Sequence, residues 1–365
     1  MAGTLDVRVM GAGIFGLAAA HALAMRGARV EVVDPAGPGA GASGGLVGAL
    51  APHVPEAPWS AIKAFQLEAL VAAGRFWERV GTVSGRPTGY GRTGRLVVLE
   101  GAQAVARAEA RAEGAARFWP GWAGWRVAAL ATAPGAAGWG LATAGGQAVV
   151  DTLAARLAPR AAGAALVAAL ARAGAAMVPE ARAGAAGATL WATGPAGLAA
   201  LAESLGRPDS GFAVKGQAAL LRPAQPLPAD LPQLSVAGLF VVGHHDGTVA
   251  VGSTSERDYA SAGATDAQLE ALIERARASV PALAGAEVIE RWAGLRPRSP
   301  SRGPVLGAWP GRAGHYVANG GFRIGFALAP LVAERMAALI LDGHADIPEE
   351  FAPEAAFAGK GGGAG

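Results

Sequence analysis

The clearest pattern of apolar and polar positions lies at the start of the chain. Val7-Arg8-Val9-Met10 alternates as a strand does and runs into Gly11-Ala12-Gly13-Ile14-Phe15-Gly16. Val30-Glu31-Val32-Val33 follows and ends on Asp34. This order predicts a strand, a tight glycine turn, a helix, a second strand and an acid. Further on, Ile62, Phe65, Leu67, Leu70, Val71 and Phe76 form one apolar side of a helix over 58–80. A turn and strand are predicted over 88–100, with Leu96-Val97-Val98-Leu99 at its centre, and an Ala/Arg/Glu helix over 102–118. Trp119, Trp122, Trp125 and Trp139 sit in a Pro/Gly-rich region and read as packing. Residues 150–173 read as one or two alanine-rich helices, and 175–178 and 188–192 as short strands. From Phe212 the pattern changes to strands over 213–222, 239–242 and 248–252, with Asp246-Gly247 as a hairpin signal. A helix over 266–280, strands over 287–292 and 314–318, and a helix over 324–341 complete the pattern.

The opening unit has the order needed to hold the ADP half of a dinucleotide. Gly11 allows the turn, Gly13 lets the backbone approach a pyrophosphate, and Gly16 lets helix and strand pack closely. The helix N-terminus offers free N–H groups to phosphate, and Asp34 is placed to accept from a ribose hydroxyl. Helical, parallel-sheet character lies at both ends and around 140–210, and antiparallel character at 86–135 and 213–295. That interleaving predicts a nucleotide-binding domain over 1–85, 136–212 and 296–350, interrupted by a substrate domain over 86–135 and 213–295. Residues 357–365 are Gly-rich and read as a flexible tail.

Composition removes several classes of function. The chain has 365 residues, a net charge of +3 and no run of five basic residues, so nucleic-acid binding is not expected. Cysteine is absent, which excludes disulfides, thiolate metal sites and a catalytic thiol. The six histidines include the pair His244-His245 but no metal-ligand spacing, so no metal site is expected. The most apolar long stretch, 161–178, is mainly Ala and Gly with Arg172 inside, too weak to span a bilayer. With no signal-peptide pattern, a cytoplasmic location is expected.

Several separated segments together resemble the FAD-dependent D-amino-acid oxidase superfamily, nearest to bacterial glycine oxidase. They are Val9 to Gly16 with Asp34, then Gly41-Ala42-Ser43-Gly44-Gly45 with Gly48-Ala49-Leu50-Ala51-Pro52, then Trp191-Ala192-Thr193-Gly194. Val214-Lys215-Gly216-Gln217, Trp292-Ala293-Gly294-Leu295-Arg296-Pro297, Gly303-Pro304-Val305-Leu306-Gly307 and Gly321-Phe322-Arg323 follow in the same order. The resemblance implies an α/β fold: an FAD-binding Rossmann-like domain of the glutathione-reductase type with an interleaved antiparallel-sheet plus helix substrate domain. It implies FAD contacts at Gly11, Gly13, Ile14, Phe15, Gly16 and Asp34, at Ala42 and Ser43, at Val178, Thr193 and Gly194, and at Gly320, Gly321, Phe322 and Ile324. It places Arg296 and Arg323 against the carboxylate of a small-molecule amine or amino-acid substrate, which a guanidinium fork suits. Arg298 and Arg302 read as surface residues.

The implied reaction is oxidative deamination of glycine, sarcosine or a small D-amino acid by hydride transfer to flavin. The electron acceptor is oxygen or another carrier, and the oligomeric state is not specified. Alternatives are an FAD-dependent dehydrogenase with a non-oxygen acceptor, and a domain similar to the FAD part of the enzyme that modifies wobble uridine in tRNA. A non-enzymatic FAD-binding protein is a further reading. Two departures bear on the substrate. Phe240 stands where the family carries a tyrosine, and Gly243-His244 replaces a Pro-Arg. His244 is either a new polar contact or a solvent-facing turn residue. His53 either approaches the flavin or is an ordinary loop residue. The interval from Val178 to Thr189 leaves room only for a turn where the family has a small meander.

Overall fold

The computed structural model describes residues 5–208 and 212–358. The chain opens with β1 (Leu5–Met10), α1 (Ile14–Met25) and β2 (Val30–Val33), as the alternation predicts. A glycine-rich loop leads to β3 (Ala49–Leu50) and α2 (Ala61–Ser84). Then come β4 (Arg95–Leu99), α3 (Ala102–Phe118), β5 (Trp125–Ala129), β6 (Gln147–Asp151), β7 (Ala155–Arg156) and α4 (Pro159–Arg172). The middle of the chain supplies β8 (Ala176–Val178), β9 (Ala186–Trp191), α5 (Gly194–Ser204), β10 (Phe212–Arg222), β11 (Gln233–Val236), β12 (Leu239–Gly243) and β13 (Val249–Gly252). It ends with α6 (Ala267–Ser279), β14 (Glu287–Arg298), β15 (Val305–Ala308), β16 (His315–Asn319), α7 (Gly325–Asp342) and α8 (Pro353–Phe357).

One sheet has six strands in the order β15-β16-β9-β1-β2-β8. Its pairs are parallel except β15 with β16. All four residues of β2 are buried, as expected of a strand covered on both faces. On α1 the run Ala18-Ala19-Ala20 is fully buried, and such small side chains let the helix sit close to the sheet and to α7. This explains how an alanine-rich chain builds a dense core without large side chains.

The second sheet has eight strands in the order β14-β10-β13-β12-β11-β4-β6-β5, antiparallel except for β4 with β11. In the long β10–β14 pair the register steps from Leu220↔Glu290 to Leu221↔Val288, leaving Ile289 as an extra residue in a bulge. From that bulge to Phe212↔Arg298 the pairing is unbroken. The inner face of α6, Leu269, Leu272, Ile273 and Ala276, covers one side of this sheet. Between β4 and β6 the fully buried Asp151 meets Arg95 at 2.8 Å and accepts the N–H groups of Leu153 and Ala154.

The structure departs from the sequence expectations at identifiable places. Residues 147–151 form β6 in the eight-stranded sheet, and only 159–172 of the alanine-rich stretch is helical. Pro159 sits at the first helical position, where its missing N–H costs nothing. Trp125 begins β5, and its indole N–H donates to Ala108 O at 2.8 Å, so it packs as expected but on a strand. The Gly-rich pattern predicts a flexible tail from Phe357, but Phe357 ends α8 and is 1% exposed. The rest of that tail, 359–365, lies outside the described residues.

His21 lies inside α1, 2% exposed, with its ring edge-on to Phe76. Burial, aided by Arg79, pulls its imidazole down from 6.5 to about 4. Between these values the unfolded chain binds a proton that the folded chain refuses. Stability is therefore complete above about pH 6.5 and falls as pH is lowered through the window, by up to about 3 kcal/mol. Urea unfolding at about pH 7.5 and about pH 5 should show a smaller loss for His21→Leu than for wild type. Equal losses would exclude His21 as the source.

Candidate functional site

The two sheets meet at a cleft of about 900 Å³. One wall is the opening glycine turn. Gly11 has a φ of +103°, and a Cβ there would lie 2.5 Å from Ala192 O on the neighbouring strand end. A Cβ on Gly16 would overlap the Gly11 carbonyl. Gly13, Ile14 and Phe15 line the cleft, so the N-terminus of α1 opens into it, while Gly16 is buried behind them. Ser43, on a single helical turn over Ala42–Gly44, accepts the Ile14 N–H on its Oγ at 2.9 Å. The glycine-rich loop is thereby tied to the end of α1. Ala42 lines the same wall.

Asp34 lines the cleft at the end of β2. Its Oδ2 accepts the Ala12 N–H at 2.8 Å and its Oδ1 accepts the Ala36 N–H at 3.0 Å. These bonds fix the carboxylate, and each oxygen keeps a further lone pair for a ligand hydroxyl. Val178 is set apart from the cleft lining; its carbonyl accepts the Asp34 N–H at 3.1 Å and so supports the acid from behind. Thr193 and Gly194 line the cleft at the start of α5. Asn319 donates from Nδ2 to Gly194 O at 2.9 Å and accepts the Gly320 N–H at 2.8 Å. One buried amide thus joins the second glycine turn to the turn before α7. Gly320 is buried behind that turn, whereas Gly321, Phe322, Arg323 and Ile324 line the cleft.

The other wall is the eight-stranded sheet. Phe240, Ala218 and Trp292 line it, together with Leu295, Arg296 and Pro297 of β14. Arg296 is 8% exposed, and its Nη1 donates to Thr254 O at 3.0 Å. Its guanidinium lies over Gly216 on the paired strand, where any Cβ would overlap it. Burial first, and then the charge of Arg323, pull Arg296 down to about 10, against a smaller opposing influence of Glu256; it stays cationic at neutral pH. Arg323 stands at the exposed rim.

His53 lines the cleft and is anchored to Gln66, whose Oε1 accepts its main-chain N–H at 2.8 Å and also meets its Nδ1. Gln66 in turn donates to Ala51 O at 3.0 Å. Burial holds the His53 ring below the usual histidine range, so it is neutral at pH 7. His244 neither lines the cleft nor faces solvent. It is 7% exposed, and its Nε2 lies 2.9 Å from Leu46 O, beneath the glycine-rich loop. Among the described residues no group of side chains is arranged to hold a metal ion.

A family model described as DAO, FAD dependent oxidoreductase, matches residues 6–339. The chain belongs to this family of FAD-dependent oxidoreductases. Over 143 residues it is 36% identical to the glycine oxidase of Pseudomonas putida, a match that spans 39% of this chain and 38% of that relative's length. The crystal structure of glycine oxidase from Geobacillus kaustophilus superposes with a TM-score of 0.80 at 23% identity, covering 95% of this chain and 97% of that one. That of iminodiacetate oxidase from Chelativorans gives 0.79 at 23% identity, covering 95% and 99%. At such identity these structures show the fold.

The cleft suits the family's cofactor on its own geometry. The volume is on the scale of a cofactor site. The glycine turn is a cradle that a side chain at Gly11 would fill, and the open end of α1 suits a pyrophosphate. Three supporting parts do not stand out in the sequence: Gly216 beneath Arg296, the Thr254 carbonyl, and Gln66 behind His53. Only Gly216 carried a signal, because a glycine inside a strand marks a close approach.

Two outcomes follow. In Gly11→Val the added atoms meet Ala192 O, and the purified protein is expected to lose most of its visible flavin absorption while far-ultraviolet circular dichroism is kept. In Gly216→Ala the methyl group displaces the Arg296 guanidinium while flavin stays bound, and a substrate held by that guanidinium would show a substrate constant about tenfold or more higher. Steady-state kinetics with flavin content measured in parallel checks the second, and an unchanged substrate constant would remove Gly216 from the site.

Proposed function

We propose that this FAD-dependent oxidoreductase oxidises the carbon–nitrogen bond of a small amino acid or N-substituted glycine, with glycine and sarcosine as first candidates and oxygen as acceptor. The observation that carries the reading is Arg296, a guanidinium buried in the cleft with no carboxylate bonded to it among the described residues. A buried cation of this kind is matched by a ligand anion. The relatives named glycine oxidase and iminodiacetate oxidase support it.

In this reading the substrate carboxylate docks on Arg296, with Arg323 at the rim. FAD, when bound, supplies a two-electron acceptor for the hydrogen and electron pair leaving the substrate α-carbon. The side chains contribute orientation. Arg296, held from behind by Thr254 O and from below by Gly216, sets one end of the substrate. Phe240 and Trp292 narrow the wall and exclude water. The two guanidiniums disfavour another cation nearby, so they bias the substrate amine toward the neutral form whose lone pair assists oxidation. Loss of hydride gives an iminium; water adds to its carbon and ammonia or an amine leaves, producing an oxo acid. Phe240 supplies no hydroxyl, so orientation rests more heavily on the arginines.

Anaerobic mixing of the FAD-loaded protein with glycine or sarcosine should bleach the flavin, and readmitted air should yield peroxide. Bleaching without peroxide would point to another acceptor. Arg296→Gln should raise the substrate constant about 10- to 100-fold with flavin retained. Unchanged kinetics in that variant would falsify the anchoring role.

A further inference from the structure

Arg323 lines the cleft at its rim, and around it stand further arginines that the reaction above does not use. Arg298 lies two residues along β14, hence on the same face as Arg296, about 6.6 Å further on. Arg298 and Arg323 both approach the Phe322 ring, with their guanidinium carbons 5.6 and 5.4 Å from its centre. Phe322 is fixed there by its main-chain N–H, which donates to Pro297 O at 3.0 Å. Arg302, in the turn after β14, and Arg257, in the segment after β13, are both exposed and close enough for their charges to act on Arg298.

Several arginines of this chain meet carboxylates, as in Arg26 with Asp342, Arg160 with Glu290 and Arg291 with Glu270. Among the described residues, the side chains of Arg257, Arg298, Arg302 and Arg323 make neither an ion pair nor a hydrogen bond. Burial first, and then the charges of Arg302, Arg257 and Arg323, lower the proton affinity of Arg298. Glu256 is the neighbouring buried acid, but it is engaged by Lys215 at 3.3 Å and by Gln217 at 3.0 Å. Asp258 follows Arg257 in sequence and makes no ion pair among the described residues. Like charges gathered within a Debye length without counter-charges repel, and a bound anion relieves that repulsion.

We propose that this rim is a second acid-binding subsite, and that the preferred substrate is an amino acid carrying two acid groups. One carboxylate sits on Arg296 inside the cleft and the other on Arg298, flanked by Arg257 and Arg302. The spacing of Arg296 and Arg298 along β14 suits two carboxylates joined through a short chain such as C–N–C. This inference rests on the amine-oxidising reading of the cleft and sharpens its substrate class.

The test compares matched molecules that differ by one carboxylate. In the FAD-loaded protein, kcat/KM for iminodiacetate should exceed that for sarcosine about tenfold or more at low salt. The advantage should shrink as ionic strength approaches about 1 M. Arg298→Gln and Arg257→Gln should each lower the ratio of the two toward one. A readout independent of turnover uses thiodiacetate and methylthioacetate, whose sulfur replaces the oxidisable amine. Calorimetry on the holoenzyme should show thiodiacetate bound about tenfold more tightly, with the difference lost in Arg298→Gln. If sarcosine or glycine bleaches the flavin but the second carboxylate gives no gain in either assay, the subsite is overturned and amine oxidation stands. If no amino acid or amine bleaches it, the reading of the cleft fails, and equal affinity for the two thioethers then overturns the subsite as well.

Discussion

A positive charge held away from water is the constraint on which the cleft depends. Arg296 is buried, and its recorded hydrogen bond goes to a neutral carbonyl, so its desolvation is only partly offset within the protein. The fold tolerates this because the strand beneath it lacks a side chain at Gly216, and because the segment carrying Thr254 is anchored from behind. Thr254 Oγ1 accepts the Gln217 N–H at 2.8 Å and bonds Glu256, and Lys215 lies between Glu256 and Asp266. The polar network on one face of β10 therefore sets the position of the cation on the other.

The two sheets divide the work by their strand types. The parallel sheet presents strand ends and helix N-termini, which suit phosphates and ribose. The mostly antiparallel sheet presents a broad face, which forms the other wall of the cleft. Asn319 and Ser43 cross-link the parts: the first ties the turn before α7 to Gly194, the second ties the glycine-rich loop to α1. Both are short polar side chains whose contribution lies in where they hold the backbone.

Much of this was legible in the chain itself, and the exceptions share a cause. The β1–α1–β2 unit and the hairpin around Asp246-Gly247 announce themselves through local alternation and glycine placement. The helix over 102–118 has the bounds its pattern predicts. By contrast β5, β6, β7 and β11 are short, and three of them lie in runs of alanine, valine or tryptophan that suit either a helix or a strand. What makes them strands is pairing with distant partners, such as β6 with both β4 and β5. In the site, the prominence of Arg296 was readable from its motif, and the cleft brings it together with the glycine turns. The burial of His244 was not readable, because it depends on the Leu46 carbonyl nearly two hundred residues earlier in the chain. The bonds that hold Asp34 on both oxygens were equally hidden, since one comes from Ala12 in the turn after β1 and the other from the backbone of its own turn.

The bulge at Ile289 shapes how this protein tolerates change. Strand side chains alternate with a period of two, so a one-residue slip anywhere between the bulge and Arg298 would turn both arginines to the opposite face. On the far side of Ile289 the chain already accommodates an unpaired residue. Length variation in this strand is thus confined to its beginning, while its end admits only exchanges of one side chain for another. An inserted residue near Glu287 would therefore leave both arginines facing the cleft side, whereas one beyond Ile289 would reverse them.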